Sequence, residues 1–121
     1  MCIKQGAEVW NRWSKENPRE RPDLSGADFT RSDLNGAELT GAALCDVDLT
    51  EADLRQTSLI RTDLYTSIFN RTWFDSANFD NAFASGTVSV NVDLSICSRH
   101  ALTSWWVDND GRLVSNCITM T

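Results

Sequence analysis

Few side chains in this sequence are of types that do covalent or metal chemistry. The four cysteines, Cys2, Cys45, Cys97 and Cys117, stand far apart and none forms a C-x-x-C pair. The one histidine, His100, has only Cys97 near it. Zinc sites and disulfide frameworks use tighter spacing than this. A Ser–His or Cys–His nucleophile needs a further group to orient the base, and nothing around His100 indicates one. Asp108, Asn109 and Asp110 look like the start of a calcium loop, but the later oxygen ligands and the closing glutamate are missing, so they read as turn residues. No glycine-rich phosphate loop is present. Carboxylates are plentiful, among them Asp28, Asp33, Asp48 and Asp53. Acid–base catalysis, however, wants carboxylates in a pocket that shifts their pKa. The expectation is no catalytic residue, no cofactor and no metal, hence no enzyme.

Those carboxylates belong to a pattern that repeats every five residues. Leu24, Phe29, Leu34, Leu39, Leu44, Leu49, Leu54, Leu59, Leu64, Phe69, Phe74 and Phe79 keep an unbroken register. Two residues before each stands a smaller one: Pro22, Ala27, Ser32, Ala37, Ala42, Val47, Ala52, Thr57, Thr62, Ser67, Thr72 and Ala77. A period of five is neither helical nor that of a flat strand. Residues two apart on an extended backbone share a face, so the small and large side chains point inward together. The position before the large residue points outward and holds Asp28, Asp33, Glu38, Asp48, Asp53 and Asp63. Gly26, Gly36 and Gly41 fall at the last position, where a corner calls for positive φ. Short repeats of fixed period imply units that stack on one another.

Ala27-Asp28-Phe29-Thr30-Arg31, Ala37-Glu38-Leu39-Thr40-Gly41 and Ala52-Asp53-Leu54-Arg55-Gln56 resemble the pentapeptide-repeat family, whose loose consensus is A-(D/N)-L-x-x. The resemblance covers about half the chain. It implies an all-β solenoid, a right-handed quadrilateral β-helix with four pentads per coil. The twelve pentads would make three coils, a rod ~15 Å long at ~4.8 Å per rung.

The flanking segments read as ends for this rod. Residues from about Gln5 to Glu16 form a short helix with Ile3, Ala7, Trp10 and Trp13 on one stripe, stopped by Asn17-Pro18. An exposed first coil would leave open backbone groups and an open apolar end, and Trp10 and Trp13 are large enough to cover them. The lead-in from Trp10 to Phe29 also resembles that of bacterial pentapeptide-repeat proteins. Residues 1–21 are thus the N-terminal capping helix and lead-in. Residues 22–96 are the repeat, regular to about 81 and irregular after, with Val92-Asp93-Leu94-Ser95 returning to register. Residues 97–121 are a tail in which Ser104–Val107 and Arg112–Val114 form a hairpin around Asp110-Gly111.

The outer surface changes character late in the run. Arg31, Glu51 and Arg71 fall in one column, alternating in sign. Ile60, Tyr65, Ile68 and Trp73 then occupy outward positions that were polar earlier, and Phe83 follows. Such a set tends to be covered, here by the chain's own residues 95–121 folding back on the third coil, or by a partner protein. The net charge of −6 argues against direct nucleic-acid binding. No apolar run is long enough to span a membrane, and the first residues lack a signal-peptide core, so the expected location is cytoplasmic. The expected role is a structural or protein-binding module with an unknown protein partner, as a monomer or weak homodimer. The alternative that the family resemblance offers is an acidic rod that mimics DNA toward DNA gyrase or another nucleic-acid-binding protein. Against it, ~15 Å of rod imitates only about four or five base pairs.

Overall fold

The structure is a computed structural model that describes Ile3, residues 6–88, and the backbone of Thr103–Val107 and Leu113–Val114. Cys2, Cys97, Cys117, His100, Leu94 and Asp108–Asp110 lie outside the described residues. The elements are helix α1 (Ala7–Glu16) and strands β1 (Phe83–Ser85), β2 (Thr103–Val107) and β3 (Leu113–Val114).

Between α1 and β1 the chain returns to the same position every 20 residues. Parallel bridges join Asp23 to Ala43 to Asp63 to Phe83, Asp28 to Asp48 to Ile68 to Val88, Asp33 to Asp53 to Trp73, and Glu38 to Ser58 to Asn78. These are four faces, taken below as first to fourth in that order. A turn separates each face from the next. In the first, Ala27 N–H donates to Leu24 C=O at 3.2 Å and Gly26 sits at φ +78°. A positive φ at the third residue of a hydrogen-bonded turn is the signature of type II. The same corner position is filled by non-glycine residues nine times, from Arg31 (φ +59°) to Asn81 (φ +60°). With a turn every five residues, each face keeps one bridging residue, which is why longer strands appear only at the end of the coil.

The five-residue register places the core as expected. The large residues from Phe29 to Phe79 are at most 2% exposed, and Phe69, Phe74 and Phe79 meet edge to face at 5.2 and 4.8 Å. Leu24, on the end rung, is only partly buried. Ala84 occupies a large-residue position and is fully buried there.

Helix α1 starts two residues later than the sequence suggests, because Gly6 adopts φ +114° and acts as N-cap. At the other end Asn17 donates from its side chain to Trp13 C=O at 2.8 Å. Ile3 and Trp10 join the core cluster, while Ala7 and Trp13 pack against it.

At the far end the described part of the tail lies on the sheet edge. β2 pairs in parallel with β1, Phe83 opposite Thr103 and Ser85 opposite Trp105, the same 20-residue step as in the coil. β3 then pairs antiparallel with β2, Val107 opposite Leu113. The hairpin therefore continues the first face edge to edge. The described part of the tail does not wrap over the outside of the third coil, because its backbone groups find partners on the sheet edge.

Candidate interaction surfaces

Three features stand out on the described surface: the outer apolar positions of the third and fourth rungs, the acidic columns, and the N-terminal end.

Counting rungs shows how the apolar set arises. On the second face the outward column runs Asp28, Asp48, Ile68, Val88; on the third it runs Asp33, Asp53, Trp73; on the first it runs Asp23, Ala43, Asp63, Phe83 and on to Thr103 of β2. Trp73 is 58% exposed, Phe83 42% and Tyr65 41%. Ile60 and Ile68 are half-buried. Tyr65 and Phe83 stack with ring centroids 6.2 Å apart and planes 20° apart, since a corner residue of one rung lies beside the outward residue of the next. Trp73 is shielded on one side by Arg55, whose guanidinium carbon lies 5.4 Å from the ring centroid. Of the four outward residues named from sequence, the structure leaves Tyr65 and Trp73 exposed on different sides. Val88, 39% exposed, was not among them, and adding 20 to Ile68 would have found it.

The acidic columns are largely engaged by their own backbone. Asp28, Asp33, Asp48 and Asp53 each accept the N–H two residues on, at 2.9–3.1 Å. Asp23 does the same with Ser25, and that backbone hydrogen bond holds its carboxyl below the usual range. Asp53 also takes two hydrogen bonds from Arg55, at 2.9 and 2.7 Å. The Arg55 side-chain bond is the main cause of its lowered pKa, against a smaller opposing effect of burial. Glu51 lies between Arg31 at 3.3 Å and Arg71 at 4.0 Å, the alternating column expected from sequence. Solvent screens such exposed pairs, so they fix surface geometry more than stability.

At the N-terminal end, Trp10 is 2% exposed and donates its indole N–H to Glu38 C=O at 2.7 Å. Asn11 accepts Glu38 N–H at 2.7 Å and donates to Gly36 C=O at 2.9 Å. Trp13 lies 5.1 Å from Trp10, ring to ring. Both tryptophans thus sit on the first rung. Cys45 is a free, half-buried thiol. Among the described residues no cluster of His, Cys, Asp and Glu could hold a metal, and no helix is long and apolar enough to cross a membrane.

No curated protein resembles the chain in sequence. Among solved structures, a pentapeptide repeat protein of the Arabidopsis thaliana thylakoid lumen is similar, with 17% identity over 72% of this chain and 68% of that one, at TM-score 0.56. Two proteins of the cyanobacterium Nostoc PCC 7120 also match. One is a pentapeptide repeat protein with 21% identity, 78% and 72% coverage and TM-score 0.40. The other is HetL, involved in heterocyst differentiation regulation, with 19% identity, 72% and 43% coverage and TM-score 0.31. The Arabidopsis protein shares the fold. Residues 20–50 and 48–83 match the family described as Pentapeptide repeats, in eight copies, which spans 64 of the 121 residues. With its five-residue register and 20-residue bridges, the chain belongs to the pentapeptide-repeat family.

Proposed function

We propose that this chain is a non-catalytic right-handed quadrilateral β-helix that binds another protein through the outer apolar side chains of its third and fourth rungs. The observation that carries this is the exposed Tyr65–Phe83 stack, with Phe83 in a column that holds Asp23, Ala43 and Asp63 on earlier rungs. Burying apolar surface is favourable by ~25 cal/mol per Å², and aromatic residues are enriched at interfaces. The interior is filled by its own Leu and Phe side chains, which suits a scaffold better than a catalyst. The acidic columns give weaker support to DNA mimicry. Their carboxylates already cap their own turns, and Asp53 and Glu51 face arginines.

Affinity capture with three forms of the full chain tests the proposal: wild type, Tyr65→Ser/Phe83→Ser, and Asp28→Asn/Asp48→Asn. The expected result is a partner held by wild type and by the Asn form but lost by the Ser form at unchanged melting temperature. A partner lost only by the Asn form favours the acidic reading. Retention by all three forms overturns the proposal.

A further inference from the structure

The first rung has no coil before it, and its faces are finished differently. On later rungs each face turns three main-chain groups toward the preceding rung. On the third face Asp53 N–H donates to Ser32 C=O at 2.9 Å, while the carbonyls of Asp53 and Arg55 accept from Leu34 and Gly36 at 2.8 and 2.9 Å. The equivalents one rung earlier are the N–H and C=O of Asp33 and the C=O of Asn35. On the fourth face the matching groups of Glu38 are both taken by α1: Asn11 accepts the N–H, and Trp10 donates to the C=O. Side chains there imitate the missing rung. On the third face, among the described residues, nothing does. Its edge borders a groove of about 590 Å³ lined by Gly6, Ala7, Thr30, Ser32, Asp33 and Asn35.

We infer that this third-face edge is a strand-addition site for a short, extended, basic peptide. An unpaired edge is a template for another strand, and main-chain bonds supply the affinity in such recognition. The chemistry of the occupant follows from the rung. Its outward positions are Asp23, Asp28, Asp33 and Glu38, all acidic, so a residue set beside Asp33 is favoured as Lys or Arg. The groove wall is small. Nothing lies within 4 Å of where a Gly6 side chain would begin, and Ala7 adds one methyl. The site is at the opposite end from the apolar set and stands independently of it.

The test uses the full chain and a fluorescein-labelled hexapeptide, Ala-Ala-Lys-Ala-Arg-Ala, followed by anisotropy and by amide exchange. The expected result is saturable binding that weakens about tenfold or more when the main-chain nitrogen of the alanine after the lysine is methylated, since with the lysine beside Asp33 that N–H is the donor to Asp33 C=O in the register of the coil. Asp33→Asn weakens binding severalfold with its melting temperature unchanged. The Asp33 amide exchanges freely in the chain alone and becomes protected with peptide. Equal binding of the methylated peptide overturns the proposal, because it reduces the contact to charge attraction. So does an absence of binding, or an Asp33 amide already protected in the chain alone, which would mean that the chain fills its own edge.

Discussion

Trp10 and Glu38 are joined by an indole N–H to carbonyl bond of 2.7 Å across 28 residues of sequence. This bond ties α1 to the fourth face of the first rung. The ring and the N–H do separate things: the ring closes the core and the N–H satisfies an edge carbonyl. Trp10→Phe keeps most of the ring and should cost about 1 kcal/mol. Trp10→Ala should cost about 3–5 kcal/mol. Urea unfolding of both variants checks this. Equal losses would mean that the ring packs against nothing of consequence.

Register can be tested one residue apart. Leu54 is fully buried, and Leu54→Arg should prevent folding because it places an unpaired charge in the core. Arg55→Ala should leave a folded chain, since Arg55 lies outside on Asp53 and Trp73. Circular dichroism and thermal melts separate the two outcomes. Comparable stability would show that the inward and outward positions are exchanged.

Asp53 gives the fold a pH dependence of known sign. Its carboxyl is held below the ordinary value, chiefly by the Arg55 hydrogen bond. The unfolded chain then takes up the proton first as pH falls. The stabilisation is present at neutral pH and is lost below about pH 4, through the lowered native value. Asp53→Asn should make the urea midpoint fall less steeply between pH 5 and pH 3. An unchanged slope would show that the pair contributes nothing.

Much of this architecture could be read from Leu24 to Phe79, because each inward side chain carries its own size and polarity signal. The corners could be read only in part. Gly26, Gly36 and Gly41 announce positive φ, but Arg31, Glu51, Gln56, Arg61 and Thr66 adopt it with no such signal, imposed by the ladders on either side. The sequence also named the tryptophan cap and a hairpin around Asp110-Gly111, since aromatic spacing and turn residues are local. It did not show that Trp10 meets Glu38, nor that Thr103 pairs with Phe83, because those contacts depend on where rungs stack. The 20-residue count would have given the second one. Phe83 beside Tyr65 is of the same kind, with partners on neighbouring rungs and no shared local motif.

The corners should respond oppositely to glycine gained and glycine lost. Gly86 sits at φ +78°, and a Cβ there would lie 3.2 Å from the Thr66 methyl. Gly86→Ala should therefore destabilise by about 1–2 kcal/mol. Gln56, at φ +60°, makes no side-chain bond among the described residues. Gln56→Gly relieves that strain but loosens the unfolded chain, so its net effect should lie between neutral and about 1 kcal/mol stabilising. Chemical denaturation reads both. A destabilised Gln56→Gly together with a neutral Gly86→Ala would contradict the corner geometry.

Buried hydroxyls supply the last contrast. Thr72 is 2% exposed, and its hydroxyl donates to Leu49 C=O at 2.6 Å, bridging two rungs inside the coil. Thr57 and Ser67 do the same toward Leu34 and Leu44, each at 2.8 Å. Thr87 occupies the same small inward position one pentad series later and is 1% exposed, yet its hydroxyl has no partner among the described residues. A buried hydroxyl without a bond carries a desolvation cost, whereas one that bridges rungs recovers it. Valine has nearly the shape of threonine without the hydroxyl, so Thr→Val isolates this term. Thr72→Val should destabilise by about 1–2 kcal/mol, and Thr87→Val should stabilise by about 1 kcal/mol. Guanidinium unfolding of the two variants decides it. If both lose stability equally, the Thr87 hydroxyl is bonded in solution, and the fourth rung is as well satisfied as the second and third.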